Sequence, residues 1–141
     1  MPKMKTRPSH QANASLLSKL DLISLFDSII VGILFVDQER RVVMINRFLE
    51  ALTGYNREDV VGVHGENVMR SNLLSLGDPL GKALDAGITM TLEGDIINQA
   101  RKKVPIRFTV SPLKFATGNK AGACIILEDI SLLKDLDNKI H

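Results

Sequence analysis

Residues 121 to 130 read Ala-Gly-Ala-Cys-Ile-Ile-Leu-Glu-Asp-Ile, a run of small and branched apolar residues with no polar break before Glu128. A strand that is apolar on both faces wants a neighbour on each side and cover on both faces. The run therefore belongs in the middle of a sheet, although it is the last strand in the chain. Directly after it, Ser131 leads into Leu132, Leu133, Leu136 and Ile140 at helical spacing. A core strand wired straight into a helix suits a domain that senses something inside and passes strain outward.

The rest of the chain supplies the other strands. Residues 1–13 carry charge, two prolines and no apolar period, which predicts a disordered tail. Over 14–30, Leu16, Leu20, Ile23, Phe26 and Ile30 recur at threes and fours, one wide apolar stripe on a helix. Such a stripe can pack on the domain, pair with a second copy, or do both. Val31–Asp37 and Arg41–Asn46 read as a hairpin. Asn46 is placed to cap a helix over Arg47–Thr53, which Gly54 ends. Asn56-Arg-Glu-Asp59 has the form of a capping box. His64 to Ser75 is a loosely helical connection with Met69, Leu73 and Leu74 inward. Pro79 opens a helix with Leu80, Ala83 and Leu84 on one face and Gly87 as its stop. Ile88–Ile97 is a strand with a bulge expected at Gly94. Between Lys103 and Leu113, Val104, Ile106, Phe108 and Val110 alternate with Lys103, Arg107, Thr109 and Ser111, the pattern of a half-buried antiparallel strand. The order predicts an α+β fold, one five-stranded antiparallel sheet with helices on one face.

At this point the chain resembles a PAS domain, over about Leu25 to Leu133. The resemblance rests on Phe26–Asp37, on Ile45-Asn46, on Leu52-Thr-Gly-Tyr55 with Glu58–Gly62, on Val104–Pro112 and on the closing Asp129-Ile-Ser131. It implies strand order 2-1-5-4-3, with residues 31–130 as the PAS domain and 131–141 as the start of an output helix capped by Ser131. It also implies a small-molecule pocket, where one exists, between helices and sheet, and dimerisation through the 14–30 helix, with Leu16, Leu20, Ile23 and Phe26 as its seam. The family often has Asp-Gly before Lys103. Here Gln99-Ala-Arg101 predicts a longer or differently shaped turn.

Known PAS chemistries find little purchase. The haem-binding members carry a histidine on the helix before the third strand, and none lies between Asp78 and Ala86. His64 reads as a loop histidine, and Met69 and Met90 as core fillers. The flavin-photochemical run Asn-Cys-Arg-Phe-Leu is absent, and Cys124 reads as a small strand hydrophobe. Haem and flavin are thus disfavoured, and the cofactor is unknown. A pocket, if present, takes its sheet wall from Ile106, Phe108, Val110 and Ile125 and its helix wall from Leu84, which suits an apolar ligand. Arg107, on the opposite side of its strand, is a solvated arginine.

Catalysis is not expected: the sequence has no phosphate-binding glycine loop, no metal-ligand spacing and no nucleophile–histidine set. A net charge of +2, partly in the tail, predicts no direct nucleic-acid surface. The longest apolar runs are too short to span a bilayer, the first ten residues have no apolar leader segment, and a lone cysteine forms no internal disulfide, so a cytoplasmic location is expected. The expected function is a sensory and dimerisation domain. It takes a small ligand or partner and relays a change through Asp129 and Ser131 to the C-terminal helix and an effector, such as a histidine kinase or transcription activator. The alternatives are a ligand-free dimerisation or interaction module and a haem-based gas or redox sensor.

Overall fold

The computed structural model of the chain describes residues 20–71 and 77–140, the last three by backbone alone. The expectations for the 1–13 tail, for the start of the lead-in helix with Leu16, and for Leu73 and Leu74 lie outside these residues. Among the described residues, β1 (Gly32–Val36), β2 (Val42–Ile45), β3 (Met90–Ile97), β4 (Lys103–Lys114) and β5 (Lys120–Asp129) form one antiparallel sheet in the order β2-β1-β5-β4-β3. β5 is central, as its apolar run requires. The helices are α1 (Leu22–Asp27), α2 (Arg47–Thr53), α3 (Arg57–Val60), α4 (Gly65–Met69), α5 (Pro79–Ala86) and α6 (Ser131–Ile140).

Alternation in β4 sets the layers. Ile106, Phe108 and Val110 are fully buried, while Arg107, Thr109 and Ser111 stay half-exposed. Leu34, Ile125 and Leu127 share the inner face and meet Leu49, Met69, Leu80 and Leu84 from the helices. Cover is one-sided. On the outer face Cys124 and Ile126 remain half-exposed, which corrects the expectation of cover on both faces of β5. Their neighbours explain it. Cys124 lies opposite Phe35 and Ser111, and Ile126 opposite Ile33 and Thr109, a mixed apolar and hydroxyl surface that water tolerates. The end of β1 crowds β5 at Gly122, whose φ is +149° and where a Cβ would run into the Val36 carbonyl oxygen. Only glycine fits there.

The β2–α2 junction follows the sequence closely. Asn46 is the N-cap of α2, its Oδ1 accepting from the Leu49 amide at 3.1 Å, and Gly54 closes the helix at φ 84°. The same Oδ1 accepts from Ile33 N at 2.9 Å, and Nδ2 donates to Phe26 O at 3.0 Å and Val31 O at 2.9 Å. Asn46 is wholly buried, so one amide joins the lead-in segment, β1 and α2.

Three local expectations are corrected. The lead-in helix, expected to run to Ile30, ends at Asp27. Its last carbonyls turn to partners three residues on: Leu25 O accepts from Ser28 N and Oγ, and Phe26 O accepts from Ile29 N and from the Asn46 side chain. Ile30 is consequently 81% exposed rather than on the stripe. The capping box at Asn56 does not form, since Asn56 makes no side-chain cap bond and Glu50 Oε2 reaches the Arg57 amide instead, at 2.8 Å. Gly94 does not bulge. It pairs in register with Ile106, and each residue of β3 has a residue of β4 opposite it. The ladder irregularities fall instead between Phe35 and Val36 and between Leu113 and Lys114. The turn before Lys103 is indeed wide. Asn98 N donates to Lys102 O, Arg101 has φ 63°, and Gln99 N docks on Thr53 O at 2.7 Å.

Asn46→Ala should lower stability by about 2–4 kcal/mol, because it removes a cap and strands buried backbone groups. Urea unfolding of the two proteins reads this directly; a loss no larger than that of an exposed cap would show that water replaces the amide.

Candidate functional site

The five residues expected to wall a pocket come together. Ile106, Phe108 and Val110 of β4 and Ile125 of β5 face Leu84 of α5, and none is more than 4% exposed. They are packed against one another and their neighbours. Four hollows among the described residues lie elsewhere, on the surface, and none is lined by these five. What the core offers is an apolar interior under α4 and α5.

Those helices are held down at a point that sequence reading missed. The Arg40 guanidinium forms two bonds to the Asp78 carboxylate, at 2.7 and 3.0 Å, and one to Glu66 Oε1 at 2.9 Å. Arg40 belongs to the β1–β2 turn, Glu66 to α4, and Asp78 caps α5 by accepting from Gly81 N at 3.3 Å. Arg40 and Asp78 both take left-handed backbone conformations, φ 65° and 49°. A Cβ at position 81 would lie 2.3 Å from Asp78 Oδ2 and 2.7 Å from Arg40 Nη2, so glycine makes room for the pair. Bidentate arginine–carboxylate pairs combine charge with fixed geometry. The Arg40 hydrogen bonds, opposed in part by burial, hold the Asp78 carboxyl below its usual range. No local signal reveals this clasp, whose partners lie far apart in the chain. Asp78 before Pro79 reads only as a helix start.

The second part of the site is where β5 becomes α6. Ile130 is buried, and its amide donates to Pro105 O of β4 at 3.0 Å. Its own carbonyl accepts from Lys134 N, the first turn of α6. The Asp129 carboxylate accepts from Ser131 N at 2.8 Å and from Ser131 Oγ at 2.5 Å. This corrects the cap: Ser131 is the first helical residue and a donor, and Asp129 supplies the capping oxygen. Asp129 wins because a carboxylate is the stronger acceptor at a helix start. α6 then lies over the outer face of β4 and β3, where Lys134 Nζ meets Glu93 Oε1 at 2.9 Å. Beneath it is a hollow of about 380 Å³ bounded by Glu93, Arg107, Ile130, Leu133 and Leu136 among others. Leu132 is largely exposed, and Leu133 and Leu136 are about half-exposed. Arg107 faces this outer side beside Glu128, as its alternation predicts.

Of the dimer seam, Leu20 and Ile23 are exposed, whereas Phe26 packs edge-on against Phe35 at 4.8 Å between ring centroids. His64 is exposed at the start of α4 and Met69 is buried in the core. Burial pushes the Cys124 thiol up to about 11, away from the thiolate form that reactive cysteines need. Among the described residues, no three His, Cys, Asp or Glu side chains are grouped to hold a metal, and no helix is long and apolar enough to cross a membrane.

The family model described as "PAS domain" matches residues 30–132. No curated protein sequence matches this one. Among solved structures, the PAS domain of a protein from Colwellia psychrerythraea superposes with a TM-score of 0.68 at 19% identity, covering 82% of this chain and 98% of that one. A PAS domain from a two-component sensor histidine kinase gives 0.66 at 12%, with the same coverages. VqmA of Vibrio cholerae gives 0.67 at 20%, covering 79% of this chain but 52% of that one. VqmA is described as a dimer that shifts conformation without its target DNA, and as part of a ligand–DNA complex.

The clasp carries a pH signature. Because the folded state lowers the Asp78 pKa, its contribution to stability is complete above the ordinary carboxylate range and is lost as pH falls through the lowered value. Wild type should therefore exceed Asp78→Asn in stability near neutrality, and the gap should close in acid. Thermal unfolding across the acid range checks this; a gap that stays constant would assign the effect to shape rather than charge.

Proposed function

This chain belongs to the PAS domain family, and we propose that it is a sensory and dimerisation module which relays a change in its core to α6. The observation that carries this reading is Ile130. It is buried in the domain, bonded to β4, and one residue ahead of a helix whose Leu132 is exposed and whose Leu133 and Leu136 stay half-exposed over the sheet. A displacement of β5 against β4 reaches α6 through that residue, with Asp129 and Ser131 setting the helix's starting angle. Two packings close in energy suffice for such a switch.

The ligand, if the core takes one, lodges between α5 and β4–β5 against Leu84, Ile106, Phe108, Val110 and Ile125. It would be apolar, and the Arg40 clasp would yield to admit it. The rival reading, a ligand-free interaction module, draws support from the tight packing of those five residues and from the exposed apolar side chains of α1 and α6. Homodimerisation through α1 is part of both. The effector is a histidine kinase, a transcription activator or another module in the same or a partner chain. VqmA, which is described with DNA, keeps nucleic acid among the partners of proteins carrying this fold, against the expectation drawn from charge.

Two measurements test the reading. Native mass spectrometry of the freshly purified chain, with an absorption spectrum of the same sample, should give a colourless dimer with an extra bound mass. The bare chain mass would favour the interaction module, and a Soret or flavin band would overturn the placement of His64 and Cys124 outside any cofactor site. Asp129→Ala should cost about 1 kcal/mol of stability, the worth of a cap, and release the α6 amides to faster hydrogen exchange while the sheet keeps its protection. Collapse of the whole domain would make Asp129 structural and remove the pivot.

A further inference from the structure

Asp27, the last residue of α1, is the meeting point of two arginines. Its Oδ1 accepts from the Arg47 backbone amide at 2.9 Å and from Arg57 Nη2 at 2.6 Å, and its Oδ2 lies 3.3 Å from Arg47 Nε. The lead-in helix is thereby tied to the first residue of α2 and the first residue of α3. Arg57 has a second acid within reach. Glu50 of α2 already accepts from the Arg57 backbone amide through Oε2, and its Oε1 is 3.9 Å from Arg57 Nη2. One atom is out of place in this cluster: Arg57 Nε is buried and has no hydrogen-bond partner. An orphaned, buried guanidinium N–H is costly and asks for an explanation.

A second arrangement would satisfy it. Rotation of the guanidinium toward Glu50 would bring Nε and Nη2 to that carboxylate together, the side-on bidentate geometry that arginine favours. Asp27 would keep Arg47 and lose Arg57. Each position leaves something unmet: the present one orphans Nε, and the other gives up the short Asp27 bond. That balance would keep two such states close in free energy.

We propose that Arg57 is a two-position clamp, holding the lead-in helix to α3 through Asp27 in one state and releasing it by turning onto Glu50 in the other. The lead-in segment enters β1 at Gly32, which pairs with Leu127 of β5, so the clamp controls a segment that joins the sheet at the same end as the β5–α6 junction. It shares no residue with the Asp129 pivot, and it stands whether or not the core takes a ligand. Asn46, which bonds Phe26 O and Val31 O, remains as the fixed anchor about which the released segment would move.

The test uses the full chain and two readouts: ¹⁵N relaxation dispersion at Arg57 Nε, and hydrogen exchange of the Ser28 and Ile29 amides, referenced to β5 amides. Wild type should show an exchange contribution at Nε. Glu50→Gln removes the competing charge while keeping an oxygen for the Arg57 amide. It should abolish that contribution and slow the two amides about threefold, the scale of a part-exposed ion pair. Asp27→Asn should move the Nε signal toward the Glu50-bound state and speed the amides. A purely structural Arg57 predicts otherwise: no dispersion in wild type, and Ser28 and Ile29 amides unchanged or faster in Glu50→Gln. Either result overturns the clamp. Should Glu50→Gln fail to fold, Glu50→Asp, one methylene too short to reach Arg57, takes its place with the same expectations.

Discussion

A single buried amide holds this domain's parts in register. Asn46 has no exposed surface and spends both ends of its side chain on backbone: two amides on one side, the Phe26 and Val31 carbonyls on the other. No other residue type offers two donors and an acceptor at that reach. Inside a low-dielectric core such a group is worth having only when fully satisfied, so each of its partners is fixed by the rest. The stop of α1, the start of α2 and the position of β1 are therefore one decision rather than three. The same amide meets the lead-in helix where it stops, sharing the Phe26 carbonyl with the Ile29 amide.

Much of this is legible in the residues themselves, because the informative signals are local. Alternation from Val104 to Val110 gives β4 its faces. Asn46 with Gly54, and Pro79 with Gly87, bracket α2 and α5 at both ends. The apolar run of β5 gives its central place. What escapes is set by groups distant in sequence. Asn56 has the right form for a cap, yet Glu50 occupies the amide beside it. The Arg40 clasp and the Asp27 cluster each join residues that no periodicity relates. The lead-in helix ends against the Asn46 amide, and the capping oxygen of α6 depends on a competition between two good caps two residues apart. Of the candidate site, the apolar wall could be read from spacing; the ionic contacts that fasten its lid helices could not.

The two faces of the sheet divide the labour. The inner face is closed by helices that are clasped at Arg40 and Asp78, and its side chains leave little room. The outer face is partly apolar and crossed by α6 with a hollow beneath it. Packing of high density transmits displacement poorly by deformation and well by rigid shift. α6 is seated on that outer face by the Lys134–Glu93 pair and by the Ile130 carbonyl that accepts from its first turn.

The two prolines of β4 bear on where α6 begins. A proline accepts one ladder bond but donates none, so in an inner strand it is tolerated only where the neighbour asks for nothing. The amide and carbonyl of one residue in an antiparallel strand point to the same side. Since Pro105 O receives the Ile130 amide, the donor that Pro105 lacks would have gone to the Ile130 carbonyl. That carbonyl, left over, takes the Lys134 amide instead and begins α6. Pro112, seven positions on, points its missing donor the other way, past the end of β3, whose pairing stops at Met90 opposite Val110. A residue with an amide at 105 would let the ladder compete for the carbonyl that starts the helix, so the passage from sheet to helix draws on β4 as well as on β5.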